Sequence, residues 1–167
     1  MSKAFARFHF HNRALTLLVP LAWITFLGAG THVAAQSAPR PEALIKWRQS
    51  AFQVIAWNSG RIKSALASGD AQEVRTASTA LAGVANSGLA SLFPAHTAQG
   101  KGWRDTTARP EIFSDPEKFR ALTLEFARES SELARLAAGT DQPAITGQFA
   151  KLAKACKSCH DKFRQTD

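Results

Sequence analysis

Sulfur-containing residues are scarce in this sequence. Met1 is its single methionine, and Cys156 and Cys159 are its only two cysteines. A disulfide between cysteines separated by two residues would close a loop too short to restrain a domain. We therefore expect the two cysteines to serve a purpose other than holding the chain together.

Several other patterns are also missing. The chain shows no β-alternation of any length, no internal repeat and no low-complexity segment. Its formal net charge is +8, but basic residues are interspersed with acidic ones, and no Lys/Arg block carries interleaved aromatic residues. This distribution argues against a nucleic-acid-binding surface and indicates a solvated basic surface, which favours acidic redox partners.

The first 35 residues have the pattern of a targeting segment. Residues 1–13 contain Lys3, Arg7 and Arg13 but no acid, residues 14–30 are mostly apolar, and Val33, Ala34 and Ala35 are small. This order is typical of a secretory signal peptide. It predicts cleavage after Ala35, and hence a mature domain over residues 36–167 with no membrane attachment. An uncleaved N-terminal anchor is the alternative, since the apolar stretch is near the short limit for a membrane span.

The remaining chain has the periodicity of amphipathic helices. A first helix is predicted from Pro41 to Gly69, because proline suits a first turn and glycine suits the position after a last turn. A second begins at Asp70, where Glu73 completes a capping pattern. The apolar residues at helical spacing, expected to face inward, are Leu44, Trp47, Ala51, Ile55, Ile62 and Leu66, followed by Val74, Ala77, Leu81, Val84 and Leu89.

Two further helices follow. One opens at residues 114–117 and ends at Gly139, and the other opens at Asp141 and Pro143. Their expected inward residues are Phe119, Leu122, Phe126, Leu133 and Leu136, then Ile145, Phe149, Leu152, Cys156, Cys159 and Phe163.

The connections between these helices indicate the architecture. Turns at 69–70 and 139–142 are short, whereas a long loop over about residues 90–113 is rich in Gly, Pro and Thr. Short turns make neighbouring helices antiparallel. The sequence therefore predicts an all-α protein, an antiparallel up-down four-helix bundle, in a single domain.

The segment Cys156-Lys-Ser-Cys-His160 lies on the last predicted helix and has the spacing that attaches c-type haem. Each thiol adds across one vinyl group of the porphyrin, and two cysteines three apart on a helix lie on one face. The adjacent His160 then reaches the iron. The segment therefore predicts one covalent haem c near the C-terminus, with thioethers at Cys156 and Cys159.

Three alternatives apply to the same residues. A thioredoxin-like redox pair would need a βαβ context, which the pattern lacks. A zinc site would need a fourth ligand besides Cys156, Cys159 and His160, and His96 is the only other histidine after the signal segment. A structural disulfide would gain little stability.

The second axial position of the iron is expected to be open. Electron-transfer cytochromes usually place Met or His there, but no methionine follows Met1. His96 falls in the long loop and is interpreted as an exposed loop histidine. We therefore expect a five-coordinate, high-spin iron held by His160 alone.

Three segments together resemble the cytochrome c′ family. These are KWRQSAFQVIAWNSGRI (46–62), ARPEIFSDPEKF (108–119) and CKSCHDKFR (156–164), so that the resemblance spans roughly residues 41–165. The sequence departs from the family in having Phe113 where tryptophan is frequent, and in a longer loop before Arg109.

The resemblance implies a set of further properties. It implies an exported, periplasmic antiparallel bundle, often a homodimer through its first two helices, whose haem binds NO and CO but binds O₂ poorly. It matches Arg48 and Gln49 to a pair near the haem propionates, Phe52 to the open axial face, and Arg164 to a basic residue beside the proximal histidine. An exposed helix charge is the alternative for Arg48.

Function is expected to be gas binding, in NO handling or electron transfer. A low-spin electron-transfer cytochrome of the same bundle type is the alternative, and a non-haem zinc or thiol protein is a third interpretation. The sequence contains no catalytic constellation, so no enzymatic activity is expected.

Overall fold

The computed structural model describes residues 38–165, which form five α-helices and two short 3₁₀ helices. The four long helices are α1 (Pro41–Ser68), α2 (Ala71–Ala85), α4 (Pro116–Ala137) and α5 (Gln142–Phe163), and α3 (Glu111–Ser114) is a single turn. The predicted signal segment and its cleavage site lie outside the described residues. Within the described part of the chain, no helix has the length and apolar character needed to cross a bilayer.

Local sequence signals set the ends of the long helices. Gly69 closes α1 in the left-handed conformation at φ 76°. The carboxylates of Asp70, Asp115 and Asp141 each accept a hydrogen bond from a backbone N–H three residues later, and so cap α2, α4 and α5. The predicted helices and short turns therefore match the structure.

The long helices pack as an antiparallel bundle, as predicted. α1 packs on α2, α2 on α4, and α4 on α5. Burial of apolar side chains between them supplies the main stabilisation. The fully buried residues of the shared core include Ile62, Leu81, Leu133, Ile145 and Leu152.

The prediction for Trp47 is wrong. Its side chain is 52% exposed, and Leu44, Ile45 and Arg48 occupy the inward face of the first turns of α1. Residues 47 and 48 each lie about one helical turn from residue 44. Periodicity alone therefore admits more than one buried stripe, and the packing partners decide which one is used.

The segment between α2 and α4 was expected to be one long loop and is more ordered than that. It contains 3₁₀ helices at Leu89–Leu92 and Ala95–Thr97, and then α3. Residues near its end run beside the C-terminus of α5. There the Arg109 N–H donates to the Phe163 carbonyl at 3.0 Å, and the Gln165 N–H donates to the Thr107 carbonyl at 2.8 Å.

Replacing Gly69 with alanine is expected to lower the free energy of unfolding by about 1 kcal/mol, because a side chain is disfavoured at positive φ. Gly147→Ala is the matched control. Gly147 is inside α5 with open space around it, so alanine there should add about 0.5–1 kcal/mol. Urea unfolding followed by circular dichroism measures both, and a stabilising Gly69→Ala would contradict the capping role.

Candidate functional site

A cavity of about 560 Å³ opens between α1 and α5. Its walls also include α4 and the segment between α2 and α4, and most of its lining is apolar. The size falls within the range of sites for small molecules and cofactors. Among the described residues, this cavity brings together the predicted haem-binding residues.

Cys156, Cys159 and His160 line the cavity from the last turns of α5. Both cysteines are half-buried free thiols. Cys156 packs against the bundle core, and Cys159 packs against a second apolar cluster formed by Ile112, Phe119, Leu122 and Phe163. The helix therefore presents two thiols and an imidazole to one apolar space.

Burial sets the protonation of these groups. It raises the pKa of the Cys159 thiol to about 11, with a smaller contribution from Cys156, and it also raises the pKa of Cys156. Burial lowers the pKa of His160, and the positive charge of Arg164 acts in the same direction. At neutral pH, His160 is thus a neutral imidazole, the form that binds metal ions.

Arg48 is buried in the cavity wall, with only 2% of its surface exposed. Its Nη1 donates to the Leu92 carbonyl at 3.2 Å and to Thr97 Oγ1 at 2.7 Å. Its Nη2 donates to the Thr97 carbonyl at 2.9 Å and to Thr106 Oγ1 at 2.6 Å. The alternative of an exposed helix charge is therefore wrong. Burial lowers the pKa of Arg48 to about 10, so that it remains a cation at neutral pH.

The other three residues matched by the resemblance also line the cavity. Gln49 is half-buried, and its amide bonds to the backbone at Trp103 and Arg104. Phe52 is 38% exposed, and its ring meets Phe93 edge-on at a centroid distance of 6.3 Å. Arg164 is exposed at the end of α5, and its backbone forms an isolated antiparallel β-bridge with Ala108.

His96 is exposed in the second 3₁₀ helix and does not line the cavity. Within residues 38–165, no group of three or more His, Cys, Asp or Glu side chains lies close enough together to hold a metal ion. The structure therefore lends no support to the zinc interpretation, in which His96 was the candidate fourth ligand.

Sequence reasoning missed several residues of the cavity wall. The Phe93 ring stacks under the Arg48 guanidinium, with 4.5 Å between Arg48 Cζ and the ring centroid. It also meets Phe119 edge-on at a centroid distance of 5.0 Å. Thr106 and Arg104 also line the cavity. Thr106 accepts a hydrogen bond from Arg48, as does Thr97, which is not part of the lining. These residues lie in the predicted loop, which has no periodicity, so no sequence signal identified them.

The lining chemistry fits a flat apolar group with anionic substituents. Arg48, Arg104 and Arg164 line the cavity, whereas no Asp or Glu does. A buried guanidinium that has hydrogen bonds but no carboxylate partner favours an anion beside it. A haem attached at Cys156 and Cys159 would bring a large apolar ring and two propionates to this space.

Comparisons with known proteins agree with this chemistry. The family model for cytochrome c′ matches residues 43–164. The chain is 44% identical over 131 residues to the cytochrome c′ of Rhodocyclus tenuis, covering 77% of this chain and 98% of that protein.

Two solved structures are also similar. One is a cytochrome c′ with an unusual ligand-controlled dimer dissociation, with a TM-score of 0.74, 33% identity and coverage of 78% of this chain and 100% of that chain. The other is a nitric oxide complex of a variant of the Alcaligenes xylosoxidans cytochrome c′, with a TM-score of 0.68, 26% identity and coverage of 78% and 99%.

Proposed function

Because the chain belongs to the cytochrome c′ family, we propose that it is a periplasmic haem protein whose five-coordinate, high-spin iron binds NO and CO. Its role would be in NO handling or electron transfer rather than enzymatic catalysis. The observation that carries this proposal is the cavity between α1 and α5, where two thiols, an imidazole and a buried guanidinium meet without a carboxylate. When bound, haem supplies the iron centre to which diatomic gases coordinate.

Different residues of the chain would attach the haem, bind its iron and supply positive charge. Cys156 and Cys159 would form the thioethers, and His160 would be the sole protein ligand of the iron. The lowered pKa of His160 supports this role because it keeps the imidazole neutral. Arg48 and Arg164 would contribute positive charge toward the propionates and beside the proximal histidine, respectively.

We expect the purified protein to retain its haem through acid–acetone extraction, because thioethers survive this treatment. Replacing both Cys156 and Cys159 with alanine should make any bound haem extractable. Freely extractable haem in the unmodified protein, or a purified protein with none, would contradict covalent attachment.

The ferrous visible spectrum is expected to be that of five-coordinate, high-spin haem, and His96→Ala should leave it unchanged, since His96 lies outside the cavity. A low-spin spectrum would instead favour the electron-transfer cytochrome. A change from six- to five-coordination in His96→Ala would identify His96 as a ligand.

Phe52 is proposed to limit access to the open axial position. A phenyl ring cannot coordinate iron, so it can act there only by occupying space. The ring lines the cavity and rests edge-on against Phe93. An incoming ligand would have to displace the ring from its contact with Phe93, and we expect a cost on the order of 1–3 kcal/mol.

Phe52→Ala is therefore expected to raise CO affinity about 5- to 150-fold and to speed association, since 1.4 kcal/mol corresponds to a factor of ten. Because the ring is 38% exposed, the loss of stability should be smaller than for a fully buried phenylalanine. Leu124→Ala is the control, because Leu124 is exposed on α4 and away from the cavity. Equal CO affinities in the unmodified protein and Phe52→Ala would show that the ring does not guard the iron.

A homodimer through the first two helices is supported by the exposed apolar face of α1. Trp47, Val54 and Trp57 are 52%, 41% and 63% exposed, and their spacing puts them along one side of the helix. Exposed tryptophans are typical anchors of protein interfaces. The outward position of Trp47, which contradicts its predicted burial, fits this surface.

Trp57→Ala is expected to weaken dimerisation about 30-fold or more, the effect of losing about 2 kcal/mol at an interface anchor. Leu124→Ala again provides the control, because Leu124 is equally exposed at 63% but lies on α4. Analytical ultracentrifugation measures both variants. An unchanged dimer constant in Trp57→Ala would place the interface elsewhere.

A further inference from the structure

Gln49 uses its amide to hold the loop over residues 100–106. Its Oε1 accepts from the Trp103 N–H at 2.8 Å and from the Arg104 N–H at 3.5 Å. Its Nε2 donates to the carbonyls of Arg104 at 2.9 Å and Asp105 at 3.5 Å. A side-chain amide has two donors and one acceptor oxygen. These contacts engage both ends of the amide, so Gln49 has little capacity left for a carboxylate.

Arg48 is engaged in a similar way. Its Nη1 and Nη2 make four hydrogen bonds to Leu92, Thr97 and Thr106. A guanidinium has five N–H donors, of which four are on the terminal nitrogens. Arg48 can therefore offer an anion its charge and the Nε–H, but its terminal donors already bind the protein.

The same loop is docked closely on α1. At Gly102, a Cβ would lie 2.8 Å from the Lys46 backbone nitrogen and 2.9 Å from Ile45 Cγ2, so only glycine fits without movement. The Trp103 indole N–H donates to Ser50 Oγ at 2.9 Å, and the Lys46 ammonium lies 5.0 Å from the Trp103 ring centroid. The Thr106 N–H closes the loop onto the Gly100 carbonyl at 3.0 Å.

Arg104 is the cavity-lining cation that this loop carries. Among the described residues, its guanidinium has no hydrogen-bond partner and no ion-pair partner, whereas both groups of its backbone are held by Gln49. The cavity lining contains no Asp or Glu that could neutralise it. The Arg104 guanidinium can therefore offer an anion its charge and its N–H donors, whereas few donors remain available on Arg48 and Gln49.

We propose that Arg104 is a haem-binding residue that donates to a propionate, and that Gln49 is a positioning residue that acts by fixing the backbone of Arg104. This inference rests on the proposed haem-binding function. A guanidinium recognises a carboxylate through two parallel N–H bonds. Arg164 is the other exposed cation of the lining. It directly follows α5, the helix that carries His160, whereas the loop that carries Arg104 is docked on α1.

Redox titration of the haem-loaded protein tests the role of Arg104. Arg104→Gln should lower the reduction potential, because a nearby positive charge disfavours the ferric state. It should also shift the propionate bending band in the resonance Raman spectrum. Lys101→Gln is the matched control, since it removes the same charge from the same loop but from an exposed residue that does not line the cavity. The reduction potential of Arg104→Lys should lie between those of the unmodified protein and Arg104→Gln, because lysine keeps the charge but loses the bidentate contact.

Gly102→Ala tests the positioning. It retains every charge, but the new methyl group would collide with α1 and displace the loop. Its potential and propionate band should change in the same direction as in Arg104→Gln. The new Cβ would also lie 2.5 Å from Gln49 Oε1 and disturb its hold on the loop. If Gly102→Ala behaves like the unmodified protein, positioning of Arg104 by Gln49 is overturned.

Equal potentials and equal propionate bands in Arg104→Gln and Lys101→Gln would overturn the assignment of Arg104. Acid–acetone extraction and the ferrous spectrum of each variant separate this result from failure of the proposed function. If attached high-spin haem is present throughout, only the Arg104 proposal fails. A purified unmodified protein without haem would overturn both.

Discussion

The buried guanidinium of Arg48 joins α1 to the segment that closes the cavity. Removing a charge from water is costly unless hydrogen bonds replace the lost solvation. Here the replacement comes from Leu92, Thr97 and Thr106, which belong to the segment between α2 and α4. The geometry of that segment therefore depends on satisfying Arg48, and the cavity wall depends on the segment.

Aromatic packing extends the same connection across the site. Phe93 lies under Arg48, meets Phe52 on one side and Phe119 on the other, and Phe119 meets Phe163 edge-on at 5.3 Å. The four rings come from α1, the segment after α2, α4 and α5. Edge-to-face pairs contribute roughly 0.5–1.5 kcal/mol each beyond burial. This chain of rings ties the wall near Phe52 to the end of α5, close to His160.

α1 takes part in two distinct surfaces. One side carries Arg48, Gln49 and Phe52 into the cavity wall, and another exposes Trp47, Val54 and Trp57. A helix with cavity-lining residues on one side and exposed apolar residues on another does not follow one simple apolar stripe. The exposed tryptophans therefore occur on the same helix as the buried polar residue Arg48.

Much of the fold and part of the site could be predicted from the sequence, because the signals are local. Helix caps depend on residues three apart, as at Asp141 and Ala144, and the grouping of Cys156, Cys159 and His160 follows from spacing on one helix. Only the tertiary structure decided which face of the first turns of α1 is buried, since Trp47 and Arg48 are adjacent and packing partners choose between them. Tertiary structure alone also brought Phe93 and Arg104 to the cavity and Thr97 to Arg48. Their contacts with α1 join residues 41 to 55 positions apart, and no local pattern encodes such contacts.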